Sequence, residues 1–413
     1  MKILHTADWH LGQVFFGTDR IREHEHFLNW LLQTVRMQRP DAVLISGDIF
    51  DTSNPPASAE RLFWDFLDKL TRENPLMRVI ITSGNHDSSD RLDAPSAIYR
   101  RIGVQVRSYV KKNEDKEVDW DDLCIPISSI KNPDDMAIVL AVPFLRSDDY
   151  ENSGNVAASI RSFYSHLIKN ASKRFPHVPC VMMSHIFAVG SKISNVEQDD
   201  YIVVGGENAV ETADLSPKVA YMALGHIHRA QPVGGKNNIW YSGSALPMSF
   251  TEKNYKHAVN IVEIFSESEI TVSRIEYSPL RKLLTVPATG VADFSEVMRL
   301  LSSFEKADKK DDSGLYPYVE VKVQEKNPDP SMVNAIQQEA MARKIHLCRI
   351  ERVYPKSNAK NSEIEVCTTE EFQKLVPARI VREVYANVYG EEMPEDMARM
   401  LAEVKRACEE AEN

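Results

Sequence analysis

Side chains of the types that bind metal ions follow five short apolar runs of the sequence. The runs predict strands at Lys2–Thr6, Ala42–Ser46, Val79–Ser83, Cys180–Ser184 and Ala220–Leu224, and the residues after them form the patterns DxH, GDxxD, GNHD, H and GHxH. The seven candidate metal ligands in these patterns are Asp8, His10, Asp48, Asn85, His185, His226 and His228. A lone aspartate after a strand is more often a turn residue or a helix cap, but the ordered set is specific.

These ligand types indicate both the metal and the reaction. Imidazole, carboxylate and amide ligands without a thiolate suit manganese, iron or zinc. Two cations about 4 Å apart repel each other, and a shared carboxylate, for which Asp48 is the candidate, offsets that repulsion. A metal pair can clamp the attacking and leaving oxygens of an in-line displacement and lower the pKa of bound water. The pattern therefore predicts hydrolysis of a phosphate ester.

Helical patterns separate the predicted strands. Apolar residues recur at spacings of three and four over residues 21–35, 62–70 and 160–168. Strands that alternate with helices predict a layered α/β fold, in which ligand sites gather beyond the carboxyl ends of the strands. We therefore expect the five segments to converge on one crevice. No ligand role is expected for His5, His24, His26, His166, His177, His257 or His346.

The pattern changes after Tyr277. A helix near Phe294–Leu301, an alternating strand at Tyr318–Gln324, a helix at Ser331–Arg343 and a strand at Leu347–Tyr354 predict a small α+β module. A polar linker and two amphipathic helices follow, so we expect domains at 1–278, 279–356 and 357–413. A short helix pair cannot bury both of its faces alone. It therefore docks in a partner's groove or folds back onto its own core.

Composition excludes several classes of protein. With 60 Asp and Glu against 49 Lys and Arg, the net charge of −11 counts against a simple electrostatic nucleic-acid binder, although bound cations would neutralise some acids. No apolar run approaches the roughly 18 residues of a membrane span. Five scattered cysteines without a CxxC pair favour the cytoplasm. No GxxxxGK[ST] pattern occurs, so any ATP dependence would come from a partner.

The motifs resemble those of the calcineurin-like metallophosphoesterase superfamily. Within it, the chain is similar to the family of D subunits of the bacterial SbcCD nucleases. The resemblance rests on KILHTADWHLG at residues 2–12, GDIFD at 47–51 and SGNHD at 83–87, and it is sharp over roughly the first 280 residues. It implies an α/β fold, a layered β-sandwich flanked by helices, with a small α+β capping domain and a C-terminal helical hairpin.

The resemblance also implies roles for individual residues. One metal would be held by Asp8, His10, Asp48 and His228, and the other by Asp48, Asn85, His185 and His226. His86 resembles the family's catalytic histidine, which stabilises the transition state and protonates the leaving oxygen. Asp51 and Asp87 are expected to orient histidine and backbone groups, unless they are plain turn residues. Arg91 and Arg146 are either phosphate contacts or ordinary surface arginines.

For the whole chain, the resemblance implies a manganese-dependent DNA phosphodiesterase. It would cut double-stranded ends from 3′ to 5′ and nick hairpins, as a homodimer in a heterotetramer with the SbcC-type ATPase. The first alternative is a phosphomonoesterase or protein phosphatase on the same metal core. Protein phosphatases of the superfamily resemble GDxVDRG followed by GNHE, whereas this chain has GDIFDTS and GNHD. A scaffold that had lost its metals would lack ligands, and none is missing here. Both alternatives are therefore disfavoured.

Overall fold

The computed structural model describes residues 1–151, 153–191, 209–212, 215–307, 314–325 and 330–354, together with Pro394 and Met397. The linker and the helical hairpin predicted beyond residue 356 lie outside the described residues, apart from those two positions. Among the described helices, none is both long and apolar enough to cross a membrane.

The first sheet has six strands in the order β14-β13-β1-β4-β5-β6. With strands numbered in chain order, they are β1 (Lys2–Thr6), β4 (Ala42–Ser46), β5 (Arg78–Thr82), β6 (Val104–Arg107), β13 (Ala258–Ile264) and β14 (Ile270–Glu276). Strands β1, β4, β5 and β6 run parallel, and β13 is antiparallel to β1 and β14. Every residue of β4 is buried, as its unbroken apolar run predicts for a strand covered on both faces.

The second sheet also has six strands, in the order β11-β12-β10-β9-β8-β7. They are β7 (Cys124–Ser128), β8 (Met136–Ala141), β9 (Cys180–His185), β10 (Tyr221–Gly225), β11 (Gln231–Pro232) and β12 (Ile239–Tyr241). Strands β8, β9, β10 and β12 run parallel. A short hairpin, β2 (Val14–Phe15) and β3 (Thr18–Asp19), stands apart from both sheets.

The two sheets pack face to face, and helices cover their outer faces. The core between the sheets includes Leu44 and Ile80 from the first sheet and Val181 and Ala223 from the second. The helices are α1 (Ile21–Gln38), α2 (Ala57–Glu73), α3 (Ser89–Asp93), α4 (Ser96–Arg101) and α5 (Val156–Arg174). The apolar stripes of α1 and α2 are buried on the first sheet, and that of α5 on the second. The layered β-sandwich flanked by helices is confirmed.

A third sheet of three parallel strands lies beyond the sandwich. Its strands are β15 (Leu283–Val286), β16 (Tyr318–Gln324) and β17 (His346–Val353), and its helices are α6 (Phe294–Ser302) and α7 (Pro330–Met341). Alternate residues of β16, namely Val319, Val321 and Val323, pack with these helices in a separate core. The domain bounds at 278 and 356 stay a prediction.

The third sheet meets the sandwich at a buried junction. Tyr318 packs with Phe15 and Phe250, and its hydroxyl donates to Glu23 Oε1 at 2.7 Å. Glu23 is also bonded to the buried guanidinium of Arg20 at 2.9 Å. A fully buried ion pair with this additional hydrogen bond ties β16 to the start of α1.

Candidate metal centre

The segments that follow β1, β4 and β10 meet at one edge of the sandwich. The Asp8 N–H donates to Gly47 O at 3.1 Å, and the His10 N–H donates to Asp48 O at the same distance. From the second sheet, the His226 N–H donates to Asp8 Oδ1 at 2.9 Å. These bonds join the ligand segments of both sheets around Asp8 and Asp48.

One group of ligand atoms collects around Asn85. Its Oδ1 lies 3.0 Å from His185 Nε2 and 3.2 Å from His226 Nδ1. His185 Nε2 is also 3.1 Å from Asp48 Oδ2. Ligand atoms of Asp48, His185 and His226 all lie within 4.8 Å of one another, which is close enough for a single ion to contact all three.

A second group shares Asp48 with the first. Ligand atoms of His10, Asp48 and His86 lie within 4.8 Å of one another, and His10 Nε2 is 3.7 Å from Asp48 Oδ2. The His228 ring lies beside His10, with ring centroids 5.1 Å apart. Asp48 therefore belongs to both groups, as a bridging ligand would.

Four of the site residues have left-handed backbone conformations. The φ angles are 53° at Asp8, 47° at His10, 48° at Asp48 and 101° at His226. Such angles are uncommon for residues with a Cβ, and they cluster at functional sites, where the surrounding structure enforces them. The chain turns sharply at each strand end, so that side chains only one or two residues apart face the same cavity.

Two glycines keep the cavity open. A Cβ on Gly47, whose φ is 86°, would overlap the His185 ring, and a Cβ on Gly84 would overlap the Asp48 carboxylate. Glycine is the residue that adopts such a φ without strain and brings backbone this close to a side chain. These glycines in the GD and GN patterns therefore allow the loops after β4 and β5 to pack around the ligands.

Burial and neighbouring charges shift the pKa values of the site residues in different directions. Burial alone lowers the pKa of His185, but the nearby Asp48 carboxylate outweighs it and the pKa rises to about 10. For Asp48, burial acts upward, yet His185 and His10 hold its pKa well below its usual range. Burial, followed by the charge of His185, lowers the pKa of His226 to about 3. Asp48 and His185 therefore stabilise each other's charged forms, whereas burial favours the neutral form of His226.

Comparison with known proteins identifies the family of this chain. Residues 1–230 match the family model described as calcineurin-like phosphoesterase. The D subunit of the SbcCD nuclease of Rhodobacter capsulatus is 32% identical over 331 residues, covering 77% of this chain and 80% of the relative. This chain belongs to the calcineurin-like phosphoesterase family and, within it, to the family of SbcCD nuclease D subunits. It is accordingly a hydrolase that uses divalent metal ions.

Two further SbcCD D subunits are comparably similar. That of Escherichia coli K12 is 32% identical over 274 residues, covering 63% of this chain and 64% of the relative. That of Bacillus subtilis is 32% identical over 291 residues, covering 69% of this chain and 71% of the relative.

The site suits the divalent ions of a calcineurin-like phosphoesterase. Within the described part of the chain, Asp8 Oδ2 and His10 Nε2 are buried without a hydrogen-bond partner. Buried polar atoms normally find a partner, so these two atoms are available to a ligand. Carboxylate, imidazole and amide donors, with no cysteine in either group, are those of a first-row divalent metal rather than of a structural zinc site. The residues therefore fit the divalent metal ions that the family uses.

The SbcCD D-subunit motifs also contain supporting carboxylates. Asp51 Oδ1 lies 3.2 Å from His10 Nδ1, and the Asp51 carbonyl is 2.8 Å from His86 Nδ1. Asp87 accepts hydrogen bonds from the backbone N–H groups of Gly84 at 2.8 Å and Phe50 at 3.0 Å. The Asp87 contacts agree with an orienting role for that residue, whereas His10 Nδ1 has no hydrogen-bond partner in the described part of the chain despite the nearby Asp51. The orienting roles of both residues stay predictions.

Sequence reasoning missed Glu252. This buried carboxylate accepts a hydrogen bond from His228 Nδ1 at 2.9 Å and raises the pKa of that imidazole to about 9 against the opposing effect of burial. Glu252 lies in no motif, and no spacing pattern connects it to His228. The three-dimensional structure is needed to find it.

The two arginines of the motif segments differ in their surroundings. Arg91 is bonded to Asn54 Oδ1 at 2.6 Å and to Glu60 Oε1 at 3.2 Å. Arg146 lies on an open cleft of about 630 Å³ that Asn85 also lines. Arg146 is therefore the better placed of the two to contact a phosphate, and its role stays a prediction.

Proposed function

We propose that this chain is a Mn²⁺-dependent DNA phosphodiesterase. It cuts double-stranded ends as a 3′-to-5′ exonuclease and nicks single strands and hairpins, under ATP control by an SbcC-type partner, in DNA repair and recombination. The observation that supports this most strongly is the convergence of ligand-type side chains from both sheets, in a chain 32% identical to nuclease subunits.

The proposed ligand sets are the two that share Asp48. One ion would be held by Asp8, His10, Asp48 and His228, and the other by Asp48, Asn85, His185 and His226. The cluster around Asn85 Oδ1 supports the second set. The 5.1 Å separation of the His10 and His228 rings supports the first. When bound, two such ions supply a nucleophile at neutral pH and neutralise charge on the phosphate.

His86 supplies the proton chemistry in this proposal. Its Nδ1–H donates to the Asp51 carbonyl at 2.8 Å, so Nε2 is the ring atom that can exchange a proton with substrate. The His86 N–H donates to Asp48 Oδ1 at 3.0 Å, which ties its backbone to the carboxylate that both proposed ligand sets share. An imidazolium held in this way would stabilise charge on the phosphate and protonate the leaving oxygen.

The rest of the proposal concerns location and assembly. We infer a cytoplasmic protein, since Cys124, Cys180 and Cys348 are free thiols. The helical hairpin predicted within 357–413 would dock on the ATPase in a heterotetramer built on a homodimer of this chain. The module at 279–356 would orient the duplex. Support for this assembly comes from the names of the relatives, each of which is called the D component of an SbcCD nuclease.

A cleavage assay tests the proposed function. The purified chain is incubated with a 3′-labelled hairpin duplex, with and without Mn²⁺ and the ATPase, and in parallel with a phosphoserine peptide. We expect Mn²⁺-dependent cutting of DNA, stimulated by the ATPase and ATP. Asp48→Asn should reduce the rate of DNA cleavage by a factor of about 100 or more, because it removes electrostatic stabilisation from the site. Release of phosphate from the peptide with no cutting of DNA would contradict the proposal.

A further inference from the structure

We infer that Glu252 is a positioning residue for His228 and that the third sheet holds Glu252 in place. This inference rests on the proposed function, because a fixed His228 ring matters only if that ring holds a metal ion. It assigns a role to a residue outside every motif of the sequence.

Both oxygens of the Glu252 carboxylate are engaged. Oε1 accepts a hydrogen bond from His228 Nδ1 at 2.9 Å, and Oε2 accepts one from the Met248 N–H at 2.8 Å. Glu252 is only 2% exposed, so water does not compete for these bonds. A carboxylate bonded on both oxygens cannot rotate freely, and it therefore fixes the direction of the His228 ring.

The bond to Glu252 also decides which ring nitrogen can bind a metal. Because Nδ1 carries the hydrogen donated to the carboxylate, Nε2 is the nitrogen left to act as a ligand. Metal-binding histidines generally donate their other nitrogen to a carboxylate or carbonyl in this way. The His228 ring lies beside His10 and near the charges of Asp8 and Asp48, where the first ligand set is proposed.

Glu252 is itself anchored from the third sheet. It ends a short 3-10 turn, Phe250–Glu252, which follows the segment containing Met248. Phe250 packs with Leu283 and Tyr318 of β15 and β16, and Lys253 Nζ donates to Thr285 Oγ1 of β15 at 2.7 Å. The hydrogen bond from His228 to Glu252 therefore holds the turn on one side, and the third sheet holds it on the other.

Metal binding, rather than catalysis, tests this inference. Mn²⁺ is titrated calorimetrically into the full-length chain, and bound Mn²⁺ is followed by electron paramagnetic resonance. Glu252→Gln should weaken one of the two Mn²⁺ sites by about 10- to 100-fold and leave the other unchanged. Thr285→Val keeps the Glu252 carboxylate but removes the hydrogen bond between Lys253 and Thr285 that holds the turn. It should weaken the same Mn²⁺ site by a smaller factor.

The matched control is Asp41→Asn. Asp41 is another buried carboxylate bonded to backbone, accepting from the N–H groups of Lys2 and Ile130 at 2.7 Å, but it precedes β4 whereas the site follows that strand. It should change thermal stability and not Mn²⁺ affinity. The inference would be overturned if Glu252→Gln bound both Mn²⁺ ions with wild-type affinity. It would also be overturned if Asp41→Asn weakened Mn²⁺ binding as much as Glu252→Gln does.

Two further outcomes separate the inference from the proposed function. A wild-type chain that binds two Mn²⁺ ions but does not cut DNA would contradict the proposed function and leave the role of Glu252 standing. If Glu252→Gln fails to fold, Thr285→Val decides, and unchanged Mn²⁺ binding by that variant then overturns the inference.

Discussion

His86 and His10 lie side by side, with ring centroids 4.9 Å apart, yet we assign them different roles. His86 donates Nδ1–H to a neutral backbone carbonyl, whereas His10 Nδ1 faces the Asp51 carboxylate at 3.2 Å. A carboxylate beside one ring nitrogen favours the ring orientation in which the other nitrogen faces a metal ion. The carbonyl contact fixes the His86 ring and leaves Nε2 able to exchange a proton with substrate.

His86→Ala should therefore remove catalysis and spare metal binding. We expect cleavage of the hairpin duplex to fall by about 100- to 10,000-fold, the usual contribution of a general acid or base. Mn²⁺ content, measured by elemental analysis of the dialysed protein, should stay at the wild-type level. A parallel loss of Mn²⁺ would show that His86 is a ligand instead.

A histidine outside the site should make stability depend on pH. Burial lowers the pKa of His5 from its ordinary value of 6.5 to about 3, and its Nδ1 bonds the Tyr221 hydroxyl at 2.9 Å. Between these pH values the unfolded chain binds a proton that the folded chain does not. The free energy of unfolding therefore falls as the pH decreases below 6.5.

His5→Gln should flatten this dependence. Between pH 6.5 and pH 5, the free energy of unfolding of wild type should fall by about 2 kcal/mol more than that of the variant. Urea unfolding in the presence of EDTA measures both values. The control is His177→Gln, which removes a histidine whose side chain is 94% exposed and should follow wild type. Parallel curves for wild type and His5→Gln would contradict the burial argument.

The candidate metal ligands could be predicted from sequence because each lies at or just after the end of a strand. The candidate ligands come just after short apolar runs or, for His185, at the end of one, because parallel strands bring their carboxyl ends to one edge. Glu252 has no such signal, since it lies 24 residues after its partner His228 and approaches it through a 3-10 turn. Side-chain partners of this kind depend on tertiary packing that local patterns do not encode.

At the scale of elements, the sequence predicted strands better than their arrangement. The bounds Lys2–Thr6, Ala42–Ser46 and Tyr318–Gln324 agree with the structure. The run at Val79–Ser83 begins and ends one residue earlier, at Arg78–Thr82, and His185 ends β9 instead of following it. An apolar run buried on both faces looks the same in either sheet, so the division into two sheets came from the resemblance and not from periodicity.

The junction between β16 and α1 depends on the Tyr318 hydroxyl. Burial and then the Glu23 carboxylate hold the pKa of Tyr318 above its ordinary value, so the phenol stays protonated and donates a hydrogen bond to Glu23. Tyr318→Phe would keep the ring and leave the buried carboxylate with fewer partners. We expect unfolding to become easier by about 1–3 kcal/mol.

Chemical denaturation with a second tyrosine variant checks this value. The hydroxyl of Tyr354 also donates to a glutamate, Glu325 Oε2 at 3.1 Å, but Tyr354 is 46% exposed. Tyr354→Phe should change stability by no more than about 0.5 kcal/mol. Equal losses for the two variants would show that burial of the junction does not matter.

At the scale of the whole molecule, the net charge of −11 bears on how the proposed nuclease would bind DNA. An acidic chain releases few counterions from DNA, so its own affinity for a duplex at physiological salt should be weak. The sequence predicts two amphipathic helices within 357–413, outside the residues that the structure describes apart from Pro394 and Met397. In the proposed assembly these helices would dock on an ATPase, which would contribute most of the affinity for DNA.

Deleting residues 365–413 tests whether the predicted helices dock on the ATPase. The truncated chain should keep residual Mn²⁺-dependent cleavage, because every proposed ligand lies between positions 8 and 228. It should no longer pull down the ATPase, and ATP should no longer stimulate cutting. Unaltered pull-down would place the docking surface elsewhere and favour a hairpin folded back onto its own core.

The central claim is that Asp48 joins two groups of ligands around a pair of metal ions. Anomalous diffraction at the manganese edge, from crystals of the full chain grown with Mn²⁺, measures this directly. We expect two peaks on either side of the Asp48 carboxylate, one beside His10 and His228 and the other beside His185 and His226. A single peak, or peaks away from Asp48, would contradict it.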